Sequence, residues 1–317
     1  MSWPDFFVIG TPKGGTTALH AALEAHPQLR MSRVKEPKFF LCDGAPPRSR
    51  QRGPGDAHSA REWVWRESEY LRLFEDAPRG TLTGESTPFY LYDFAAQRRI
   101  AAAVPRARLI AVIRDPVDRA YSNWAHLRSD GLEPEADFLR ALELEDARIL
   151  RGYAPFWHYS RLGRYGEQLQ HLYTLFPREQ VLVLRYRQLV EEPDQTLATV
   201  CDFLGVQRHP AARSKPDNVH PYVSPGLRTT VLSSAIRAGA ALGSFAPPQV
   251  WRRVEAPLRS RLHRGGGVRP ALTVEQRRAA LGPLLADIAL LEEVLGSSFD
   301  DWRADAGRGE FSLRWKA

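Results

Sequence analysis

Apolar and polar positions along the chain fall into two kinds of stretch. Short, nearly continuous apolar runs occur at 6–9 (FFVI), 107–113 (ARLIAVI) and 181–185 (VLVLR). Runs of that length read as strands buried on both faces. Between them, apolar residues recur at helical spacing over 16–25, 61–76, 134–150, 160–175 and 193–204, and a long amphipathic stretch covers 273–295. Asp115 and Pro116 follow the second apolar run as a helix N-cap and first helical residue, predicting a helix that runs to about Arg128. Strands alternating with helices predict an α/β fold, a three-layer sandwich with a central parallel sheet flanked by helices.

The remaining stretches are punctuation. Residues 41–60 are rich in Pro, Gly, Arg and Ser and predict a surface loop. A Pro/Asn-rich loop follows Arg208 as far as Pro225, and 264–270 is a Gly-rich break. No internal repeat or low-complexity tail interrupts the pattern, so one domain over 1–317 is expected.

Composition narrows the picture modestly. Hydrophobic residues make up 43% and charged residues 26%, as in an ordinary soluble globular protein. The net charge of +7 favours anionic ligands without naming one. The basic residues are spread along the chain rather than gathered in a tail, and no nucleic-acid recognition motif accompanies them. The two cysteines, Cys42 and Cys201, allow no disulfide framework and no zinc spacing, and buried free thiols are expected. No metal site is expected among the histidines either. No apolar run approaches the roughly 18 residues of a membrane span, and the first residues do not read as a signal peptide, so a cytoplasmic protein is expected.

The chemistry begins after the first strand. Gly10 and Gly15 in GTPKGGTT fit the G-x-x-x-x-G frame of a phosphate loop joining a strand to a helix, where backbone N–H groups and the helix N-terminus meet an anion. In a nucleoside triphosphate loop the second glycine precedes Lys and then Ser or Thr. Here Thr16 and Thr17 follow it, and the lysine lies inside the loop at Lys13. A lysine there sits nearer a group leaving from a 5′-phosphate than the β- and γ-phosphates of ATP. A ligand-free turn is the plainer reading, but the combination of glycines, a cation and two hydroxyls outweighs it.

The segment FFVIGTPKGGTT closely resembles the 5′-phosphosulfate loop of sulfotransferases that use 3′-phosphoadenosine 5′-phosphosulfate (PAPS). The resemblance extends over most of the chain. It implies a P-loop-like fold, Lys13 on the oxygen bridging phosphate and sulfate, and Gly14, Gly15, Thr16 and Thr17 around the phosphate. RLIAVIRDPVDRAYSNW resembles the family's 3′-phosphate motif, which implies that Arg114 and Ser122 bind that group. Arg suits phosphate oxygens with its planar fork. Arg119, between them, reads as a salt-bridging helix residue. Tyr186 in LRYRQLVEEP matches a tyrosine beside the adenine, although a core or surface tyrosine accounts for it nearly as well. The family usually has an acidic residue next; here it is Arg187. In some branches a later loop returns over the nucleotide, which makes Lys215, Asn218 and Arg228 in 214–228 candidates.

Sulfuryl transfer to a hydroxyl needs a proton acceptor. RVKEPKFF (33–40) resembles the K-E-P-x-F-F segment of the glycan-type branch, similar to the heparan sulfate sulfotransferases, in which the glutamate is the base. Glu36 matches it. A solvated charged turn is the alternative. Arg33, Lys35 and Lys38 are expected to favour its ionised form. The histidine base of the cytosolic branch has no counterpart in GESTPFY (84–90). The glycan branch often has a lysine after this segment's glutamate, and Ser86 stands there instead, which puts acceptor contacts in doubt. Glu85 assists the base, orients substrate or serves a structural hydrogen-bonding role. His126 faces the cleft or, more simply, the interior.

The expectation is therefore a soluble bacterial PAPS-dependent sulfotransferase of one domain, with a donor-binding core at about 5–205 and a helical and loop region at 206–317. Lys13 and Glu36 would be catalytic, PAPS the co-substrate, adenosine 3′,5′-bisphosphate (PAP) the product, and a small molecule or carbohydrate the acceptor. The aromatic segment 61–68, a helix around Tyr153–Tyr159 and the loop 41–60 either line the acceptor pocket or, for the aromatics, pack the core. The rival enzyme reading is a P-loop small-molecule kinase; a nucleotide-binding module without catalysis is the rival outside enzymes.

Overall fold

The structure, a computed structural model, describes residues 2–45, 63–209, 232–234 and 270–303. In chain order its elements are β1 (Phe6–Gly10), α1 (Thr16–Glu24), β2 (Leu29–Met31), α2 (Glu67–Leu71), β3 (Leu82–Ser86), α3 (Phe94–Ala103), β4 (Arg108–Ile113) and α4 (Pro116–Ser129). They continue with α5 (Phe138–Glu143), α6 (Glu145–Leu150), α7 (Tyr165–Tyr173), β5 (Val181–Arg185), α8 (Tyr186–Glu191), α9 (Pro193–Leu204), α10 (Val274–Leu281), α11 (Leu285–Leu295) and α12 (Asp300–Arg303).

The five strands form one sheet in the order β2-β3-β1-β4-β5, parallel throughout. The predicted sandwich is present, and strand alternation makes it. Phe6 and Val8 point to one face, where Ile110, Val112 and Leu184 meet Leu19 and Leu23 of α1 and Leu197, Val200 and Leu204 of α9. Phe7 and Ile9 point to the other, where Leu109, Ala111 and Ile113 meet α3, α4, α7 and α11 through Ile100, Val117, Leu169 and Leu291. Both faces are covered, so β1 and β4 carry no polar alternation. From β1 the chain winds towards β2 and β3; from β4 it winds the other way, to β5. The order reverses between β1 and β4, and in open α/β sheets a ligand crevice lies there, outside the carboxyl ends of the strands.

Two strands escaped the hydrophobic pattern. β2 has only three residues, and β3 reads LTGES. Yet β3 is an interior strand between β2 and β1, with Thr83, Glu85 and Ser86 buried. The predicted helix over 61–76 shortens to α2 and a 3₁₀ turn at Arg72–Phe74. That over 134–150 divides into α5 and α6, and that over 160–175 starts only at Tyr165 after a 3₁₀ turn. The 273–295 stretch is two helices separated by the turn Gly282–Leu284, which holds Pro283. The 153–159 segment is a 3₁₀ turn at Pro155–Trp157 rather than a helix. Phe156, Trp157 and Tyr159 are fully buried, and core packing accounts for them. Most of the 41–60 loop, the 214–228 segment with Lys215, Asn218 and Arg228, and the glycines of 264–270 lie outside the described residues. Cys42 and Cys201 are free and buried.

The C-terminal helices join the same core. Asp287 of α11 accepts hydrogen bonds from the backbone N–H groups of Gly166 and Glu167, both 2.9 Å, at the start of α7. Arg277 of α10 pairs with Asp115 and Asp118 at the start of α4. Gly84 shows how tightly the sheet is packed: a Cβ there would lie 2.2 Å from the Phe6 ring, which is fully buried. Gly84→Ala is expected to destabilise the fold by about 1–3 kcal/mol through overpacking. Urea unfolding measures this, and an unchanged midpoint would show that Phe6 can retreat.

Candidate active site

The loop after β1 lies in the crevice where the strand order reverses. Thr11 N–H donates to the Val112 carbonyl of β4 at 2.9 Å, and Gly14 N–H donates to the Thr11 carbonyl at 2.9 Å. A Cβ on Gly14 would lie 2.7 Å from the Val112 carbonyl oxygen. Only glycine lets the loop approach β4 this closely. Gly15 has φ 93° and a Cβ there would meet the Tyr186 ring at 2.8 Å. It precedes α1, whose N-terminus has no side-chain cap and no acidic residue in its first turn. Thr16 is buried and Thr17 half-buried on that turn. The N–H groups and positive dipole end of α1 therefore face the crevice, an arrangement that suits an anion.

The end of β4 supplies the next cation. Arg114 donates to the Lys13 carbonyl at 3.3 Å, and its guanidinium lies 4.7 Å from the centre of the Tyr186 ring. Tyr186 thus borders both Gly15 and Arg114. Ser122 is half-buried on α4, a turn beyond Asp118, and is related to the loop by its place on the helix rather than by contact. Arg119 differs from expectation. It is fully buried and makes no salt bridge among the described residues; it donates to Asn123 Oδ1 at 3.1 Å and to the Tyr159 carbonyl. It braces α4 against the 155–163 turns. His126 is likewise interior, edge-on to Phe156 and 3.7 Å from Asp130.

The segment 33–40 crosses to the same place. Glu36 N–H donates to the Ser86 carbonyl at 3.1 Å, and Lys38 N–H to Thr87 Oγ1 at 3.3 Å, so the turn is pinned to the end of β3. The Lys35 ammonium donates to Thr17 Oγ1 at 2.7 Å and stands 3.9 Å from Glu36 Oε1. Burial lowers the Lys35 pKa, with Glu36 opposing. Of the other cations expected around Glu36, Arg33 turns outward to Asp76, and the Lys38 ammonium lies 5.7 Å from the Trp63 ring centre. Among the described residues, the non-glycine residues with positive φ are Lys13 (66°), Glu36 (60°) and Lys38 (61°). Left-handed backbone costs a residue with a Cβ about 1–2 kcal/mol, and such strain collects at functional sites.

Beneath the turn lies a polar layer. Ser86 is buried, and its hydroxyl bonds His20 Nδ1 at 2.9 Å. Burial, followed by Lys35, holds the His20 pKa down at about 4, so the ring is neutral. Glu85, 0% exposed, accepts hydrogen bonds from Tyr70 (2.7 Å), Thr87 (2.7 Å) and Tyr90 (3.0 Å). Among the described residues no cluster of three or more His, Cys, Asp or Glu side chains forms a metal site, and no helix is long and apolar enough to cross a membrane.

A family model described as the sulfotransferase family matches residues 4–210. The chain belongs to that family. Among relatives, it is 33% identical over 209 residues to human heparan sulfate glucosamine 3-O-sulfotransferase 6, covering 65% of this chain and 53% of the relative. It is 29% identical over 221 residues to mouse bifunctional heparan sulfate N-deacetylase/N-sulfotransferase 4, covering 65% of this chain and 23% of that protein. The chain spans about half the length of the glucosamine 3-O-sulfotransferases it matches. A solved sulfotransferase from Alicyclobacillus acidocaldarius superimposes with TM-score 0.73 and 26% identity, covering 96% of this chain and 100% of the other. Membership in the sulfotransferase family does not favour the kinase reading of the loop.

Within this sulfotransferase-family fold the structure unites Lys13, Gly14, Gly15, Thr16, Thr17, Glu36, Arg114 and Tyr186 around one crevice. Sequence reasoning missed the contact of Lys35 with Thr17 and the pairing of His20 with Ser86. His20 lies on the buried face of α1, and that placement was the available signal. It also left the role of Glu85 open, and the geometry makes Glu85 the acceptor of a buried three-donor network. Burial raises its pKa from 4.5 to about 7, with the three hydrogen bonds opposing and Glu36 adding to the rise. The folded state therefore holds a proton that the unfolded chain releases between pH 4.5 and about 7. That stabilisation is full below pH 4.5 and is lost as pH rises towards 7, by an amount of the order of 3 kcal/mol. Glu85→Gln removes this titration, so the stability advantage of wild type over the variant is expected to shrink across that window. Urea unfolding at several pH values measures it, and a pH-independent difference would show that Glu85 does not titrate there.

Proposed function

We propose that this protein transfers the sulfuryl group of PAPS to a hydroxyl of a carbohydrate or other small-molecule acceptor. The observation that carries the reading is the placing of Glu36 at the mouth of the phosphate loop, with the Lys35 ammonium joining the two. Two anion-accepting features on adjacent strand ends fit a donor phosphorylated at two positions. The uncapped start of α1 with Gly14, Gly15, Thr16 and Thr17 would hold the 5′-phosphate. Arg114 and Ser122 would hold the 3′-phosphate, with Tyr186 beside the nucleoside.

PAPS, when bound, supplies the sulfuryl group and a phosphate leaving group. Glu36 takes the acceptor hydroxyl's proton as that oxygen bonds to sulfur. Lys13 stabilises the bridging oxygen that departs with the electron pair of the broken sulfur–oxygen bond, leaving PAP. The chain's net charge of +7 favours a doubly phosphorylated donor over water-solvated neutral competitors.

A carbohydrate acceptor draws support from the names of the relatives, which refer to heparan sulfate and glucosamine. It also draws support from the aromatic segment beside the base. Val64 N–H donates to the Pro37 carbonyl at 2.9 Å, which ties the 63–65 segment to the residue after Glu36. The Trp63 indole N–H is buried without a hydrogen-bond partner among the described residues. An indole face suits stacking on a sugar ring. We also read the chain as one domain, with the donor core at about 5–205. The pairing of Arg277 with Asp115, next to Arg114, supports it.

Lys13→Ala and Glu36→Gln are each expected to lower turnover by roughly 10²–10⁴-fold, while Glu36→Gln still binds PAP. Transfer of radiolabelled sulfate to a panel of hydroxylated sugars and phenols, with PAP titration calorimetry, tests both. Full activity of Glu36→Gln removes it as the base; tighter competition by ATP with Mg²⁺ than by PAP overturns the donor. Arg114→Ala is expected to weaken PAP at least tenfold while leaving AMP nearly unchanged, as for a charge-assisted bond to one phosphate. Equal loss for both ligands would move Arg114 off the 3′-phosphate.

A further inference from the structure

We infer that Lys35 is a second cation for the donor, one that holds a non-bridging oxygen of the sulfonate between the phosphate loop and the base. The inference rests on the PAPS reading above and deepens it. Lys35 belongs to the turn beyond β2, yet its ammonium reaches Thr17 on the first turn of α1 at 2.7 Å. The same ammonium stands 3.9 Å from Glu36 Oε1, an ion-pair distance too long for a hydrogen bond. One cation therefore links the group that would grip the 5′-phosphate to the group that would deprotonate the acceptor. The atoms transferred must pass between those two groups.

Hydrogen-bond chemistry gives the contact a direction. An ammonium has donors only, so Thr17 Oγ1 accepts from Lys35. The Thr17 hydroxyl proton is thereby turned away from Lys35, free to meet an anion in the loop. Lys35 has further donors. His20, packed behind it, is held neutral and engaged with Ser86, so it neither competes for an anion nor neutralises the lysine. The lysine side chain is 33% exposed, enough to admit a ligand oxygen and too little for full hydration. At that separation the ammonium is not hydrogen-bonded to Glu36, so it can turn to the sulfonate.

The division of labour with Lys13 is by atom. Lys13 serves the bridging oxygen, whose bond to sulfur breaks and which keeps the electron pair. Lys35 serves an oxygen that stays on sulfur throughout and passes to the acceptor with it. Lys35 remains protonated, and the proton released by the acceptor goes to Glu36. A sulfonate contact makes one demand that a contact with the phosphate does not: it distinguishes PAPS from PAP, which lacks the sulfonate.

Titration calorimetry in the cold, without acceptor, measures PAP and PAPS affinity for wild type, Lys35→Met and Lys35→Arg. PAP binding is expected within threefold of wild type in both variants, which also shows that the loop has folded. PAPS binding is expected to weaken at least tenfold in Lys35→Met and to recover to within threefold of wild type in Lys35→Arg. Parallel weakening of PAP and PAPS in Lys35→Met overturns the inference, since Lys35 would then act on the loop through Thr17. So does unchanged PAPS binding. Were Lys35→Met to lose the fold, Lys35→Gln carries the same comparison. Wild type that binds neither ligand overturns the donor reading itself, a result distinct from both.

Discussion

The close approach of the first loop to β4 is the constraint on which the crevice depends. Thr11 and Gly14 are held over Val112, and a Cβ at position 14 would lie 2.7 Å from the Val112 carbonyl oxygen. Because that atom is absent, the loop lies flat across the end of β4 and the start of α1 is drawn to the same point. Arg114 then reaches the Lys13 carbonyl, and Tyr186 fills the space against Gly15. A loop standing even slightly farther off would separate the helix end from Arg114.

Around this contact the chain accepts local strain. Lys13 and Glu36 both take left-handed backbone, in neighbouring parts of the crevice and on different segments. The backbone of Glu36 is pinned by the Ser86 carbonyl and that of Lys38 by the Thr87 hydroxyl. These anchors lie at and just beyond the carboxyl end of β3, where Glu85 accepts from the Thr87 hydroxyl at 2.7 Å. The Ser86 carbonyl and the Thr87 hydroxyl, itself bonded to Glu85, hold the turn that presents Lys35 and Glu36. The buried carboxyl of Glu85 is tolerable because Tyr70, Thr87 and Tyr90 all donate to it.

The C-terminal helices act on the crevice from behind. Asp115 caps α4 by accepting from Val117 and Asp118 N–H groups, and Arg277 of α10 pairs with the same carboxylate. The residue after Arg114 is thus fixed by a segment far along the chain. Asp287 of α11 caps α7 in a comparable way. Both contacts place a partner from the C-terminal region on a helix end of the sheet's second layer.

Much of this was legible in the amino-acid sequence, because its physics is local. A continuous apolar run marks a doubly buried strand, as at β1, β4 and β5, and Asp115-Pro116 marks a helix start. Glycines, a lysine and two threonines between strand and helix read as an anion site, and resemblance extended that reading to Arg114, Ser122, Tyr186 and Glu36. β2 and β3 were not legible, since one is three residues long and the other reads LTGES, with buried polar residues in place of an apolar run. Nor was the outward turn of Arg33, the burial of Arg119 with no salt bridge among the described residues, or the use of 153–159 as core. Pairing between residues distant in sequence depends on strand order and on which way each side chain leaves the backbone, and neither is written in local pattern. The loop at 10–17 was thus determined by its own residues. That Lys35 would reach Thr17 and stand beside Glu36 was decided only when β3, packed next to β1, brought the second segment across to the first.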